Sequence, residues 1–144
     1  MSGCGLASTT KDEPASDVKN DTTLNLSYKN LTKVDVSIFE KTNLTELNIS
    51  NNQLIDALPS QIGKLKKLKV LNANNNQMTG VPAEIGQLSN LETLDLSNNQ
   101  LTGLPNELAN LKNLKTLNLS GNKYSEQDLD AIRKSLPNVN YILE

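Results

Sequence analysis

Few side chains in this sequence could do chemistry. It contains no His and no Trp, and its single cysteine is Cys4. Without an imidazole there is no Ser-His-Asp triad, no Cys-His dyad and no His-bearing zinc site, and one thiol cannot close an internal disulfide. Carboxylates, amines and amides remain. Glu46 and Asp95 read as outward residues of strands two apart, hence near 10 Å by strand spacing. That is at or beyond the roughly 5 to 9.5 Å over which two carboxylates share glycoside hydrolysis. No catalytic residue, metal site or other cofactor is therefore expected. Lys64, Lys66, Lys67 and Lys69 cluster, but Leu65 and Leu68 interrupt them, so the cluster reads as a solvated face. With 14 Lys and Arg against 16 Asp and Glu, the net charge is -2. A nucleic-acid partner, which requires a concentrated positive surface, is not expected.

The elements that must position these groups follow from a bias in composition. Leu (25) and Asn (21) fill about a third of the 144 positions, far above ordinary usage, and the excess is periodic. The spacing of Leu44, Leu47, Ile49, Asn52 and Leu54 recurs at Leu68, Leu71, Ala73, Asn76 and Met78, then at Leu91, Leu94, Leu96, Asn99 and Leu101. It returns at Leu114, Leu117, Leu119, Asn122 and Tyr124, with steps of 24, 23 and 23 residues. A weaker copy begins at Asp21, with Lys29 at the asparagine position. Within each unit alternate residues face opposite sides of a short strand, so Leu47 and Ile49 point inward while Glu46, Asn48 and Ser50 point out. One unit cannot bury its inward side alone, whereas stacked units can. At the turn off each strand, Asn52, Asn76, Asn99 and Asn122 each offer a donor and an acceptor to stranded main chain. They are predicted to form a buried asparagine ladder.

The pattern L-x-x-L-x-L-x-x-N-x-L resembles the leucine-rich repeat family. The second halves, Leu58-Pro59-Ser60-Gln61-Ile62-Gly63 and its copies at 81–86 and 104–109, resemble the variety reading L-P-x-x-I-G. The resemblance implies an α/β fold: a right-handed solenoid with about five short parallel strands on its concave side and irregular or short helical segments on its convex side. One inserted residue among Ile55, Asp56 and Ala57 is expected to make a surface bulge. Ser125 and Asp128 read as a capping box opening a helix that carries Leu129, Ile132 and Leu136 on one face, with Pro137 ending it. Val139, Tyr141 and Leu143 alternate as a final strand. Helix and strand together, from about residue 123, are expected to cap the solenoid, and the stretch resembles caps that end bacterial members of the family.

Residues 21–144 thus form the repeat domain. Residues 1–20, polar with only four aliphatics, read as a disordered tether. Met1-Ser2-Gly3-Cys4-Gly5 resembles the end of a bacterial lipobox, which implies lipidation of Cys4 and a lipid-anchored place in the bacterial cell envelope. The alternative is a reduced Cys4 in a cytoplasmic adaptor similar to the Ras-associated leucine-rich repeat group. No run of about 18 apolar residues exists to span a bilayer, so the expected membrane contact is a lipid on Cys4.

Recognition is expected on the concave strip. Its central row is Asn25, Asn48, Asn72, Asp95 and Asn118. One flank carries Thr23, Glu46, Val70, Thr93 and Thr116, the other Ser27, Ser50, Asn74, Ser97 and Ser120, with Tyr28 beyond as the strip's aromatic. Tyr28, Glu46, Asn48, Asn72, Asn74, Thr93, Asp95 and Asn118 are the predicted binding residues. The ligand implied is a protein or peptide held by many polar contacts, with the chain itself a monomer. A spacer whose concave face binds nothing is the competing expectation.

Overall fold

The computed structural model describes residues 21–144; the tether of residues 1–20 and Cys4 lie outside the described residues. Strands β1 (Thr23–Asn25), β2 (Glu46–Asn48), β4 (Val70–Asn72), β6 (Thr93–Asp95), β7 (Thr116–Asn118) and β8 (Asn140–Ile142) form one parallel sheet in that order. Each strand is three residues long because only the x-L-x core of each unit stays extended. Its central residue is the inward one, and the register stacks Leu24, Leu47, Leu71, Leu94, Leu117 and Tyr141 in a row. Leu47, Leu71, Leu94 and Leu117 are essentially inaccessible, and burying such a side chain is worth about 1.5–3 kcal/mol.

The convex side returns through four 3₁₀ turns at Val36–Glu40, Ser60–Lys64, Ala83–Gln87 and Asn106–Asn110. In the last three, Pro59, Pro82 and Pro105 sit just before the turn in extended conformation, where a fixed φ costs nothing and no ladder bond is lost. Ile62, Ile85 and Leu108 then point inward and are fully buried. The glycine of L-P-x-x-I-G has a packing cause: a Cβ on Gly86 would lie 2.5 Å from the Glu107 carbonyl oxygen in the next turn. In the first unit Phe39 occupies the matching position and is itself completely buried, as befits an end repeat with a different neighbour.

The insertion at residues 55–57 does more than bulge. Asp56 adopts φ 59°, and Ile55–Asp56 (β3) pairs in parallel with Gln77–Met78 (β5) as a second small sheet. Ile55 is left half exposed beside Val36, at the edge of an apolar recess that also includes Val34 and Leu58.

The C-terminal cap is a ten-residue helix, α1 (Glu126–Ser135), followed by β8. The Ser125 hydroxyl accepts from the backbone N–H groups of Gln127 and Asp128, so half of the expected capping box forms. Its reciprocal arm does not: the Asp128 carboxylate instead accepts from the Leu104 N–H at 3.1 Å, tying the helix to the preceding repeat. Leu129 and Ile132 are fully buried. The Tyr141 hydroxyl donates to the Leu136 carbonyl at 2.8 Å while Arg133 lies 5.6 Å from its ring centre; burial pushes its pKa up, with the Arg133 charge opposing.

Candidate functional site

Two rows of polar side chains organise the strip, and they do different work. The first is the predicted ladder. Asn76 Nδ2 donates to the carbonyls of Ile49, Ala73 and Asn74 while its Oδ1 accepts from the Leu54 N–H at 3.0 Å. Asn99 repeats this with Ala73, Leu96 and Ser97 carbonyls and the Met78 N–H. Asn52 and Asn122 bridge their neighbouring units in the same way. The middle pair is buried, at 8% and 6% exposure, and the outer pair is half-buried.

The second row is the one predicted to meet ligand, and part of it is consumed by the fold. In each unit the residue at the strand's end folds its side-chain oxygen back onto the N–H two residues on, an Asx turn that starts the chain's exit from the sheet. Asn25 Oδ1 accepts from Ser27, Asn48 from Ser50, Asn72 from Asn74, Asp95 from Ser97 and Asn118 from Ser120, all at 3.0–3.1 Å. Except in the third unit the serine hydroxyl donates to the same oxygen. Ser50 and Ser97 are therefore buried, at 3% and 5% exposure, not outward-facing as the alternation suggested; the turn rotates them under the chain. Asn74, the exception, donates from Nδ2 to Asp95 Oδ2 at 2.9 Å, while its own Oδ1 is buried without a partner.

Beyond this row the chain turns through the left-handed region at Tyr28, Asn51, Asn75, Asn98 and Gly121, with φ between 55° and 74°. A Cβ on Gly121 would overlap Asn98 Oδ1. Tyr28 holds this conformation, unfavourable for an aromatic residue, and is 76% exposed at the rim of the first unit.

A shallow depression of about 370 Å³ crosses β1, β2 and β4 and is lined outward by Thr23, Asn25, Glu46, Asn48, Val70 and Asn72. It brings together Glu46, Asn48 and Asn72 of the predicted residues. Thr93 and Asn118 lie farther along the same sheet, Asn74 and Asp95 are bonded to each other, and Tyr28 stands at the rim. Among the described residues Glu46 makes no ion pair, and Val70 is half-buried directly opposite it in the register. Glu46 and Asp95 are farther apart than expected: Glu46 aligns with Val70 and Thr93, whereas Asp95 aligns with Asn72 and Asn48. The added offset of two residues makes the separation about 12 Å, outside the range for shared hydrolytic work. No group of acidic residues among the described residues could hold a metal ion.

The lysine cluster is the solvated face it was predicted to be: Lys64 pairs with Glu40 at 2.7 Å, and Lys66 and Lys67 donate to Gln87 and Asn43. Unanticipated was a second asparagine series on that edge. Asn90 and Asn113 each donate Nδ2 to the main chain of the previous unit, at Lys66 and Ser89, both at 2.8 Å. The sequence signal was present in the asparagine preceding Leu91 and Leu114.

The leucine-rich repeat region model matches residues 22–144. Among solved structures, the chain is similar to a leucine-rich repeat protein of Leptospira interrogans, at 37% identity and TM-score 0.80, covering 96% of this chain and 34% of that one. It is also similar to the leucine-rich repeat ectodomain of the Arabidopsis thaliana receptor kinase SOBIR1, at 36% identity and TM-score 0.67, over 83% of this chain and 66% of that one. A third likeness is the Arabidopsis receptor kinase HAESA, solved in complex with the peptide hormone IDA and the co-receptor SERK1, at 30% identity and TM-score 0.65, over 72% of this chain and 18% of that one. The chain thus spans about a third of the Leptospira protein's length. No curated protein matches it.

Proposed function

Because this chain belongs to the leucine-rich repeat family, we propose that it is a non-catalytic binding module whose concave sheet receives a protein or peptide segment. The observation that carries this reading is the depression over β1, β2 and β4, where a carboxylate with no ion pair among the described residues, a half-buried valine and a run of amides share one concave surface. Glu46 suits a cationic side chain and Val70 an aliphatic one. The co-crystallised peptide hormone of the HAESA receptor is a precedent for ligand class in the fold, not for ligand identity. A spacer would need the same Asx turns to hold its units together, so these turns do not separate the two readings; ligand binding does.

A random-peptide library panned on the full chain tests this. Selected peptides should lose about tenfold or more in affinity, 1.4 kcal/mol, when Val70→Glu places a charge in the depression, and should be unaffected by Gln61→Glu on the convex turn. Peptides that bind Val70→Glu as well as the parent would contradict the reading, and failure to select any would favour the spacer.

The module's address rests on Cys4. We propose that this thiol is acylated and anchors the domain to the bacterial envelope, the polar tether holding it clear of the bilayer. The support is the Ser2-Gly3-Cys4 resemblance together with the cap's likeness to bacterial members. Fractionation of producing cells should find the protein with membranes and Cys4→Ser in the soluble fraction. The same distribution for both would leave the cytoplasmic adaptor as the better account.

A further inference from the structure

The Asx turns leave the outward row with a one-sided chemistry. Asn25, Asn48, Asn72 and Asn118 each commit Oδ1 to the turn. Among the described residues nothing accepts from their Nδ2 groups. The row therefore presents amide donors with no matching acceptors, except at Asp95, whose two oxygens are already held by Ser97 and Asn74. Glu46 and Asp95 make the surroundings negative, so the acceptors this row fits are neutral carbonyls rather than carboxylates or phosphates.

Spacing selects the kind of backbone. Asn25, Asn72 and Asn118 stand on β1, β4 and β7, alternate strands of the sheet, hence about 9.6 Å apart at 4.8 Å per strand. A polyproline II chain repeats every three residues at 3.1 Å each, about 9.3 Å, and leaves its carbonyls unpaired. Same-side carbonyls of a β-strand recur at about 6.6 Å, which fits neither one strand spacing nor two. Building on the binding-module reading, we propose that the concave row receives a polyproline II segment lying across the strands, with the carbonyl of every third residue accepting from Asn25, Asn72 and Asn118. Exposed Tyr28 at the β1 end offers the aromatic face against which such segments pack.

The probe is an acetylated ten-residue oligoproline extended by a C-terminal biotinylated lysine amide for attachment, its proline run carrying carbonyl acceptors and no main-chain donors. Immobilised for surface plasmon resonance, it should bind the full chain saturably and more tightly than a Gly-Ser peptide of equal length. Asn25→Asp and, separately, Asn118→Asp keep the oxygen the turn needs, as Asp95 does with Ser97, but replace the outward donor with an acceptor. Each should weaken binding about fivefold, one hydrogen bond's worth, while Gln61→Glu, which adds the same charge on the convex side, should not. No oligoproline binding, or Asp variants that bind equally or more tightly, overturns the inference. Library-selected peptides that are lost on Val70→Glu yet indifferent to Asn25→Asp would refute the donor row and leave the binding module standing.

Discussion

Deleting residues 125–144 is expected to abolish cooperative folding. α1 packs on the fourth 3₁₀ turn, burying Leu129, Ile132 and Leu136, and β8 closes the free edge of β7 with bonds such as Leu119 N–H to the Ile142 carbonyl at 2.8 Å. Truncation removes those three side chains from the core and uncovers Leu117, Leu119 and Leu108, which they and β8 shield. At about 1.5–3 kcal/mol for each buried aliphatic side chain, the loss is of the order of 10 kcal/mol, comparable with the whole stability of a domain this size. The exposed edge of β7 also becomes a template for pairing between chains. Urea titration followed by circular dichroism should show no cooperative transition, and size-exclusion chromatography should show aggregates. A soluble fragment with a sharp transition would mean that the cap is dispensable.

The second large effect is expected at Asn99. Alanine there strands the Met78 N–H in a region only 6% exposed and takes from the Ala73 and Leu96 carbonyls one of their two amide donors, leaving them Asn76 and Asn122. One unsatisfied buried donor costs about 1–3 kcal/mol, and the two carbonyls are weakened rather than orphaned, so a net loss of about 2 kcal/mol in the unfolding free energy is expected. Asn99→Asp should be no better, because it retains an acceptor for Met78 but turns an oxygen onto two carbonyls. Asn52→Ala should cost less, since that site is half-buried and water can stand in. Denaturation midpoints that rank Asn52→Ala equal to or worse than Asn99→Ala would remove the ladder as a major source of stability.

These residues also show what could be read in advance. The repeat frame and the ladder were legible because main-chain accounting permits few answers: a short strand followed by a sharp turn strands the same groups in every unit, and asparagine supplies both donor and acceptor. The cap was legible through Ser125 and the helical spacing of Leu129, Ile132 and Leu136. The role of the outward row was not, although its signal stood in the sequence as Asn25-Leu26-Ser27, Asn48-Ile49-Ser50, Asp95-Leu96-Ser97 and Asn118-Leu119-Ser120. Alternation assigns those serines to the solvent side; the Asx turn, a local hydrogen bond that overrides alternation at the strand's end, takes Ser50 and Ser97 inside. Asp128 follows the same lesson. Its spacing from Ser125 suggested a reciprocal cap, but a tertiary donor, the Leu104 N–H, competes for its carboxylate and wins. Ligand choice was least legible, because amide side chains serve turns, ladders and binding alike and only geometry shows which of their atoms are left over.

The central claim is that recognition occurs on the concave sheet, and amide chemical-shift mapping addresses it most directly. On titrating a library-selected peptide into the isotopically labelled full chain, the largest shifts should fall at Thr23, Glu46, Val70 and Thr93, with the 3₁₀ turns at Ser60–Lys64 and Ala83–Gln87 unmoved. Shifts centred on those convex turns, with the sheet silent, would contradict it.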